Sequence, residues 1–391
     1  MPSDQSKSSK PSRKIMMVAG EVSGDMHAAQ VIRALLKKDR ALQIFGLGGP
    51  LMAQAGMDVR EDLTRQALIG FWEVVKHYPL LKRRFDQCLA WMRDEKPDLL
   101  FLVDYPGFNL RLARKAREMG IPVCQYVAPQ VWAWHESRLD QIRQTIDKLL
   151  VILPFEKEYF KSKGIESVYV GHPLMEEMDL KARPRTGVLK KHGISPSHFP
   201  LIAALPGSRK GEIEKIWPLF LETSRLLRKQ YPDAAFIVPK PTGLAYEDYL
   251  GLGPDDSFFF VEAPAYDLRK VCDLAWVKSG TGTLETALLQ TPMLVVYKVA
   301  ALTGFLAKRL VKLKNVSLVN LLAGETLVPE LLQERAVPPS LLEETLPLLE
   351  NQNKRKAQTK GFEKIIKSIG KPASASRGAA VELFKMLEAQ R

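Results

Sequence analysis

Only three cysteines occur in the 391 residues, Cys88, Cys124 and Cys272. They lie far apart in apolar contexts with no ligand-like spacing. That excludes a disulfide framework and a zinc site, and fits buried thiols in a reducing compartment. Long hydrophobic runs are also missing. The uncharged stretch at 299–307 is nine residues between Lys298 and Lys308, about half of what a bilayer-spanning helix needs. Residues 1–13 (MPSDQSKSSKPSR) have no apolar h-region and are expected to form a flexible tail, not a signal peptide. Acidic residues fall short of basic ones, 44 against 57. The net charge of +13 and pI near 9.5 imply an anionic partner: nucleic acid, anionic lipid or a phosphorylated substrate. No stacking motif or reader module accompanies the basic run at 308–314, so nucleic acid is not expected. Hydrophobic and charged fractions of 46% and 26% are those of an ordinary globular protein.

From Lys14 the chain alternates short apolar runs with helical stretches. Strands are expected at 15–19, 43–47, 99–103, 123–127 and 149–153, with amphipathic helices at 28–38, 80–93 and 110–118 between them. Near-continuous apolar strands belong to a parallel sheet covered on both faces. A Lys/Arg/Pro-rich connection at 178–187 precedes a second set at 201–205, 235–238, 258–261, 274–277 and 293–297. The α/β pattern therefore predicts two doubly wound domains facing across a cleft. Their expected limits are 14–180 and 181–350, followed by a basic helical segment at 351–391 that packs on the N-terminal domain or on a partner subunit.

Ligands of open α/β sheets bind beyond the carboxyl ends of the strands. After the first strand comes Gly20-Glu21-Val22-Ser23-Gly24-Asp25. It lacks G-x-G-x-x-G spacing, which disfavours a nicotinamide or flavin cofactor. Ser23 and Asp25 suit N-cap roles as well as ligand contact, whereas Glu21 has less structural reason to be there. Gly46-Leu47-Gly48-Gly49 follows the second strand as a glycine-rich turn. Asp104 follows the third apolar run directly, in VDYPGFN. Partial desolvation there would raise its pKa and make it a better base; capping the turn before Pro106 is the competing role. Gly107 and Asn109 would give that turn room. Gln130, Trp132, Trp134 and His135 crowd the next strand end, where aromatic planes suit sugar faces or acyl chains, or else plug the core. At 69–78, Phe71, Trp72 and Val75 stand beside Lys82-Arg83-Arg84. They fit either a membrane-contacting surface or a packed helix.

Two loops in the second half share one design. LPGSRKGEI (205–213) and VKSGTGTLE (277–285) each join a strand to a helix, aiming free N–H groups and a positive helix end at one spot. Gly207, Ser208 and Arg209 in one loop, with Ser279, Gly280, Thr281 and Glu285 in the other, suggest a nucleotide diphosphate held between them.

With these segments in view, the chain resembles the lipid-A-disaccharide synthases, a glycosyltransferase family with two facing Rossmann-like domains of GT-B type. The resemblance rests on VAGEVSGD (18–25), GLGGPLM (46–52), VDYPGFN (103–109), APQVWAWHESR (128–138), LPFE (153–156), GHPL (171–174), LPGSRKGE (205–212), SGTGTLE (279–285) and NVSLVNLLAGETLVPELLQ (315–333), in order along the chain.

It implies transfer of 2,3-diacylglucosamine from UDP to 2,3-diacylglucosamine 1-phosphate (lipid X), giving a β-1′,6-linked disaccharide in lipid A and lipopolysaccharide biosynthesis of Gram-negative bacteria. Asp104 would be the base and Arg209 would neutralise the leaving diphosphate. Gly207, Ser208, Ser279, Gly280, Thr281, Glu285 and Asn320 would bind the donor, with Glu285 on the ribose hydroxyls. Glu21, Ser23, Gly24, Asp25, Gln130 and Trp132 would line the acceptor side. No cofactor or metal is implied, and no D-x-D is present to hold one. The family also implies a cytoplasmic protein on the inner face of the cytoplasmic membrane, and a homodimer. Gly107 replaces an acidic residue common in the family, His135 replaces an arginine for which Arg138 would substitute, and Gly282 replaces an alanine. Another UDP-sugar glycosyltransferase, or a UDP-sugar 2-epimerase of the same build, is the alternative.

Overall fold

The computed structural model describes residues 13–63, 78–132, 136–240, 256–298, 315–370 and 375–389. The chain forms two compact units, Met1–Glu176 with Ile369–Arg391, and Glu177–Ser368. In the first, β1 (Lys14–Ala19), α1 (Val22–Lys38), β2 (Gln43–Gly48), α2 (Pro50–Gln54) and β3 (Asp58–Asp62) precede α3 (Tyr78–Glu95). There follow β4 (Leu99–Val103), α4 (Pro106–Glu118), β5 (Val123–Tyr126), α5 (Arg138–Thr145), β6 (Lys148–Val151), α6 (Pro154–Ser162) and β7 (Ser167–Tyr169). The strand order is β3-β2-β1-β4-β5-β6-β7, and every pairing is parallel. The order reverses between β1 and β4, which makes that crevice the sheet's switch point.

A short α7 (Leu174–Glu177) leads to the second unit. There α8 (Arg185–Lys191), β8 (Leu201–Leu205), α9 (Lys210–Arg228), β9 (Ala235–Lys240) and β10 (Phe258–Glu262) come first. Next are α10 (Tyr266–Lys270), β11 (Leu274–Lys278), α11 (Thr281–Leu288), β12 (Met293–Tyr297), α12 (Leu318–Ala323) and β13 (Glu330–Leu332). The order is β10-β9-β8-β11-β12-β13, again wholly parallel, with its reversal between β8 and β11. The expected doubly wound α/β sheets are therefore both present.

The central strands are predominantly apolar because helices cover both faces; all five residues of β4 (LLFLV) are fully buried. The strands without a sequence signal, β3, β7 and β13, lie at sheet edges. β3 reads DVRED and β7 and β13 have three residues each. Short or charged edges discourage pairing with other chains, and that same feature removes the apolar run. In the second unit the Trp276 indole N–H donates to Thr345 Oγ1 at 3.0 Å, so the largest buried ring leaves no unsatisfied donor.

The helix α13 (Pro338–Glu350) packs on α9, and α14 (Gln352–Ile369) follows it. The chain then returns to the first unit, where α15 (Ala375–Glu388) packs along α1. Tyr169 Oη donates to Ile369 O at 2.6 Å, the Ser376 N–H donates to Glu176 Oε1 at 2.8 Å, and the Lys38 ammonium lies 4.3 Å from the Phe384 ring centre.

Phe71, Trp72 and Val75 lie outside the described residues. Their basic neighbours are partly accounted for. Arg84 is buried, donates to Glu61 Oε2 at 3.0 Å and also to Asp62 O, while Arg83 reaches Glu61 Oε1 at 3.2 Å. Arg84 thus ties α3 to the edge strand β3 and is withdrawn from headgroup contact. Cys88 and Met92 are buried, and Leu81, Phe85 and Leu89 pack against the same core, as their helical spacing predicts. No helix among the described residues is long and apolar enough to cross a membrane.

Candidate active site

The first crevice is built where β1 and β4 end side by side, Ala19 opposite Val103. Gly20 packs closely against the Tyr105 ring; a Cβ there would sit 2.4 Å from Tyr105 Cδ1. The motif after β1 is not a loop followed by a helix, because α1 already begins at Val22 with Glu21 as its N-cap. Ser23 and Asp25 therefore do not cap their own helix. Asp25 is buried and caps α2 instead. Its Oδ1 accepts the Gly49 and Met52 N–H groups at 3.1 and 2.9 Å, and its Oδ2 the Leu51 N–H at 3.1 Å. The segments GEVSGD and GLGGPLM are one structural device, joined by a carboxylate that satisfies helix-end N–H groups. Asp25 thus positions the start of α2 at the strand end. Gly24 is buried against Ala19 and Val103, with Glu21 and Ser23 half-buried beside it.

Asp104 follows β4 and is half-buried. Its φ is +48°, that of Tyr105 is also +48°, and Val127 after β5 has +61°. Left-handed backbone at residues other than glycine costs on the order of 1–3 kcal/mol each and persists only where surroundings enforce it. The enforcing bonds are visible. Asp104 N–H donates to Tyr126 O at 2.9 Å, while its carbonyl accepts from Asn109 Nδ2 at 2.7 Å and Gln125 Nε2 at 3.2 Å. Gln125 Nε2 also lies 3.2 Å from Val127 O. Asn109 and Gln125 are both fully buried. Asn109 is thus no spacer in a turn. It sits in the first turn of α4, which Pro106 opens, and clamps the backbone that presents Asp104. Gln125 carried no sequence signal except a lone amide within an apolar strand.

On the loop after β5, Gln130 is exposed and Val131 is buried, while residues 133–135 lie outside the described set. The Trp132 indole N–H donates to Glu156 Oε1 at 3.1 Å, and its ring meets Phe155 edge-on at 5.1 Å. Trp132 itself is half-buried, held by Glu156 and Phe155 with part of its surface open beside the exposed Gln130. Glu156 is buried; its Oε2 accepts the Ile152 and Leu153 N–H groups at 3.2 and 3.0 Å. Burial pushes its pKa up to about 7, against the opposing pull of these three hydrogen bonds. A carboxyl that is easier to ionise unfolded than folded loses stability as pH rises between the two pKa values. The penalty grows from about pH 4.5 to 7 and is constant above, reaching on the order of 3 kcal/mol. Urea denaturation of the native chain and of Glu156→Gln should therefore give a stability difference that falls over this window and then levels. A flat difference would show that burial does not shift this carboxyl.

The second crevice lies between the ends of β8 and β11, and the two glycine-containing loops flank it. Gly207 has φ +126°, and a Cβ there would stand 2.5 Å from Glu212 Oε2, so a side chain is excluded twice over. Glu212, which closes the LPGSRKGE segment but was assigned no role from sequence, organises the loop. Its Oε2 accepts the Ser208 N–H at 3.2 Å, and its Oε1 accepts Arg209 Nη1 at 3.2 Å and Lys278 Nζ at 2.7 Å. Burial opposes ionisation of Glu212, but Lys278 and then Arg209 outweigh it and hold the carboxyl below its ordinary range. Across the crevice, Ser279 is buried with Oγ donating to Val316 O at 3.3 Å; Gly280 caps α11 and Thr281 is exposed at its first turn.

Glu285 Oε2 accepts Arg269 Nη1 at 2.8 Å, and Arg269 Nη2 donates to Thr286 Oγ1 at 3.1 Å. Arg269 is buried; it orients Glu285 from below. Asn320 departs from expectation. It is fully buried, donating to Val328 O and Glu330 Oε1 at 2.9 and 2.7 Å and accepting the Leu327 and Val328 N–H groups at 2.8 and 2.9 Å. With two donors and two lone pairs used, its amide braces the loop before β13.

Comparison with known proteins agrees with this layout. The model of the lipid-A-disaccharide synthetase family matches residues 15–384. The lipid-A-disaccharide synthase of Geobacter sulfurreducens is 37% identical over 379 residues, covering 95% of this chain and 97% of its own. Among solved structures, a UDP-GlcNAc 2-epimerase from Neisseria meningitidis bound to UDP-GlcNAc superposes with a TM-score of 0.60 at 14% identity, over 97% of this chain and 100% of that one. The glycosyltransferase SnogD from Streptomyces nogalater gives 0.56 at 18%, over 97% and 100%. Identities that low speak for the shared GT-B fold alone. The family match over nearly the whole chain, joined to two parallel sheets whose switch points carry its motifs, shows that this chain belongs to the lipid-A-disaccharide synthase family of glycosyltransferases.

Proposed function

We propose that the chain condenses UDP-2,3-diacylglucosamine with 2,3-diacylglucosamine 1-phosphate to give the β-1′,6-linked disaccharide 1-phosphate and UDP. The observation that carries this reading is the pair of loops at 205–213 and 277–285 on either side of the β8/β11 switch point. Such a crevice with a helix N-terminus and Arg209 beside it suits a nucleotide diphosphate.

The donor is α-linked and the product β-linked, so the anomeric carbon inverts in one displacement. Asp104 takes the proton of the acceptor's 6-hydroxyl as its oxygen attacks, and the bond to UDP breaks on the opposite face. Arg209, with the N–H groups at 279–281, carries the charge that develops on the leaving diphosphate. Glu285, oriented by Arg269, accepts from the ribose hydroxyls. Glu21, Ser23 and Gln130 contact the acceptor; Asp25, Gly24, Trp132 and Asn320 position the segments around them.

Phe71, Trp72 and Val75 bring the protein to the anionic membrane surface that holds its lipid substrates. One assay tests the whole reading: UDP release with both lipids presented in anionic vesicles. Turnover should require both substrates, and Trp72→Ser should slow it on vesicles without changing UDP affinity. UDP release without the acceptor, or none with both lipids, would sink the proposal.

A further inference from the structure

Lys278 is the last residue of β11, and none of the motifs singled it out. Its ammonium lies 2.7 Å from Glu212 Oε1, the same oxygen that Arg209 Nη1 approaches to 3.2 Å. Nζ also stands 3.8 Å from where a Cβ on Gly280 would be, over the N-terminus of α11. A cation in that place runs against the helix dipole, whose N-terminal end favours anions. Departures from such a local rule concentrate at functional sites. Glu212 Oε1 faces both cations at once, which brings two positive side chains together at this strand end. The cluster is also partly open, with side-chain exposures of 19% for Lys278 and 42% for Arg209.

We propose that Lys278 is a second ligand of the donor's diphosphate, binding its β-phosphate while Arg209 shares the charge. Glu212 is a positioning residue. It holds both cations side by side before the nucleotide arrives, and the fixed spacing spares the ordering cost at the moment of binding. This assignment rests on the UDP-sugar reading above.

The experiment is calorimetric titration of the full chain with UDP and with UMP, which lacks the β-phosphate. The native protein should prefer UDP. Lys278→Met keeps the unbranched apolar stem without the ammonium and leaves Glu212 paired with Arg209, so the fold should survive. It should weaken UDP roughly 10- to 100-fold, the scale of a charged hydrogen bond, and UMP far less. The preference for UDP then collapses, whereas Lys278→Arg retains most of it. A lowered melting temperature with the preference intact would mark Lys278 as a structural partner of Glu212 and overturn the inference, leaving UDP binding itself untouched. A native chain with no preference for UDP would overturn the inference and the donor assignment together.

Discussion

Replacing Asp104 with asparagine should lower kcat by roughly 10²- to 10⁴-fold, the usual contribution of a general base, with UDP affinity little changed. Asparagine is the informative substitution. Position 104 has φ +48°, and asparagine accepts that left-handed backbone more readily than alanine does. The clamp on the Asp104 carbonyl from Asn109 and Gln125 involves main-chain atoms of residue 104, so the variant keeps it. What is lost is the carboxylate's ability to take a proton. Steady-state turnover alongside UDP titration separates the two effects, and an unchanged kcat would remove Asp104 from the chemistry.

Arg209→Gln should reduce kcat by about 10²- to 10³-fold, as the loss of one preorganised group facing a developing negative charge does. Stability should barely move. The ion pair with Glu212 is exposed on the arginine side, and pairs of that kind contribute at most about 1 kcal/mol. Arg209→Lys should recover only part of the rate, because a point charge cannot make the paired N–H contacts of a guanidinium. Equal kcat values for the native chain and Arg209→Gln would assign the leaving-group charge to other residues. Lys278, which shares the same Glu212 oxygen, would be the first to examine.

Much of the fold was legible from residue order. All ten strands read from apolar runs are present, because strands covered on both faces are predominantly apolar. The strands that were not legible are three of the four sheet edges, β3, β7 and β13, where one side lacks a neighbour and selection favours charge or brevity. Helix starts were read too late. At Val22 and Pro106 the helices begin inside segments rich in small and polar residues, where periodicity has not yet built up.

The site divides along a similar line. Asp104, Arg209 and the two glycine loops announced themselves because each stands directly after an apolar strand. Residue type marked Asp25 and Trp132, and the family resemblance marked Asn320, but neither told which way their polar atoms face. Asp25 turns out to cap α2 from twenty-four residues away, Trp132 to hold Glu156, and Asn320 to spend its whole amide on the loop before β13.

The sequence by itself determined the two parallel sheets, the family and the strand ends at which chemistry is sought. These depend on periodicity and on short contiguous segments, which local order records. Only the tertiary structure decided which polar side chains are satisfied internally and which remain open. Hydrogen-bond partners such as Glu212 with Lys278, or Asn109 and Gln125 with the Asp104 carbonyl, come from elements that meet only when parallel crossovers bring their strand ends together. A buried polar group must find such partners, and the linear chain does not record which ones.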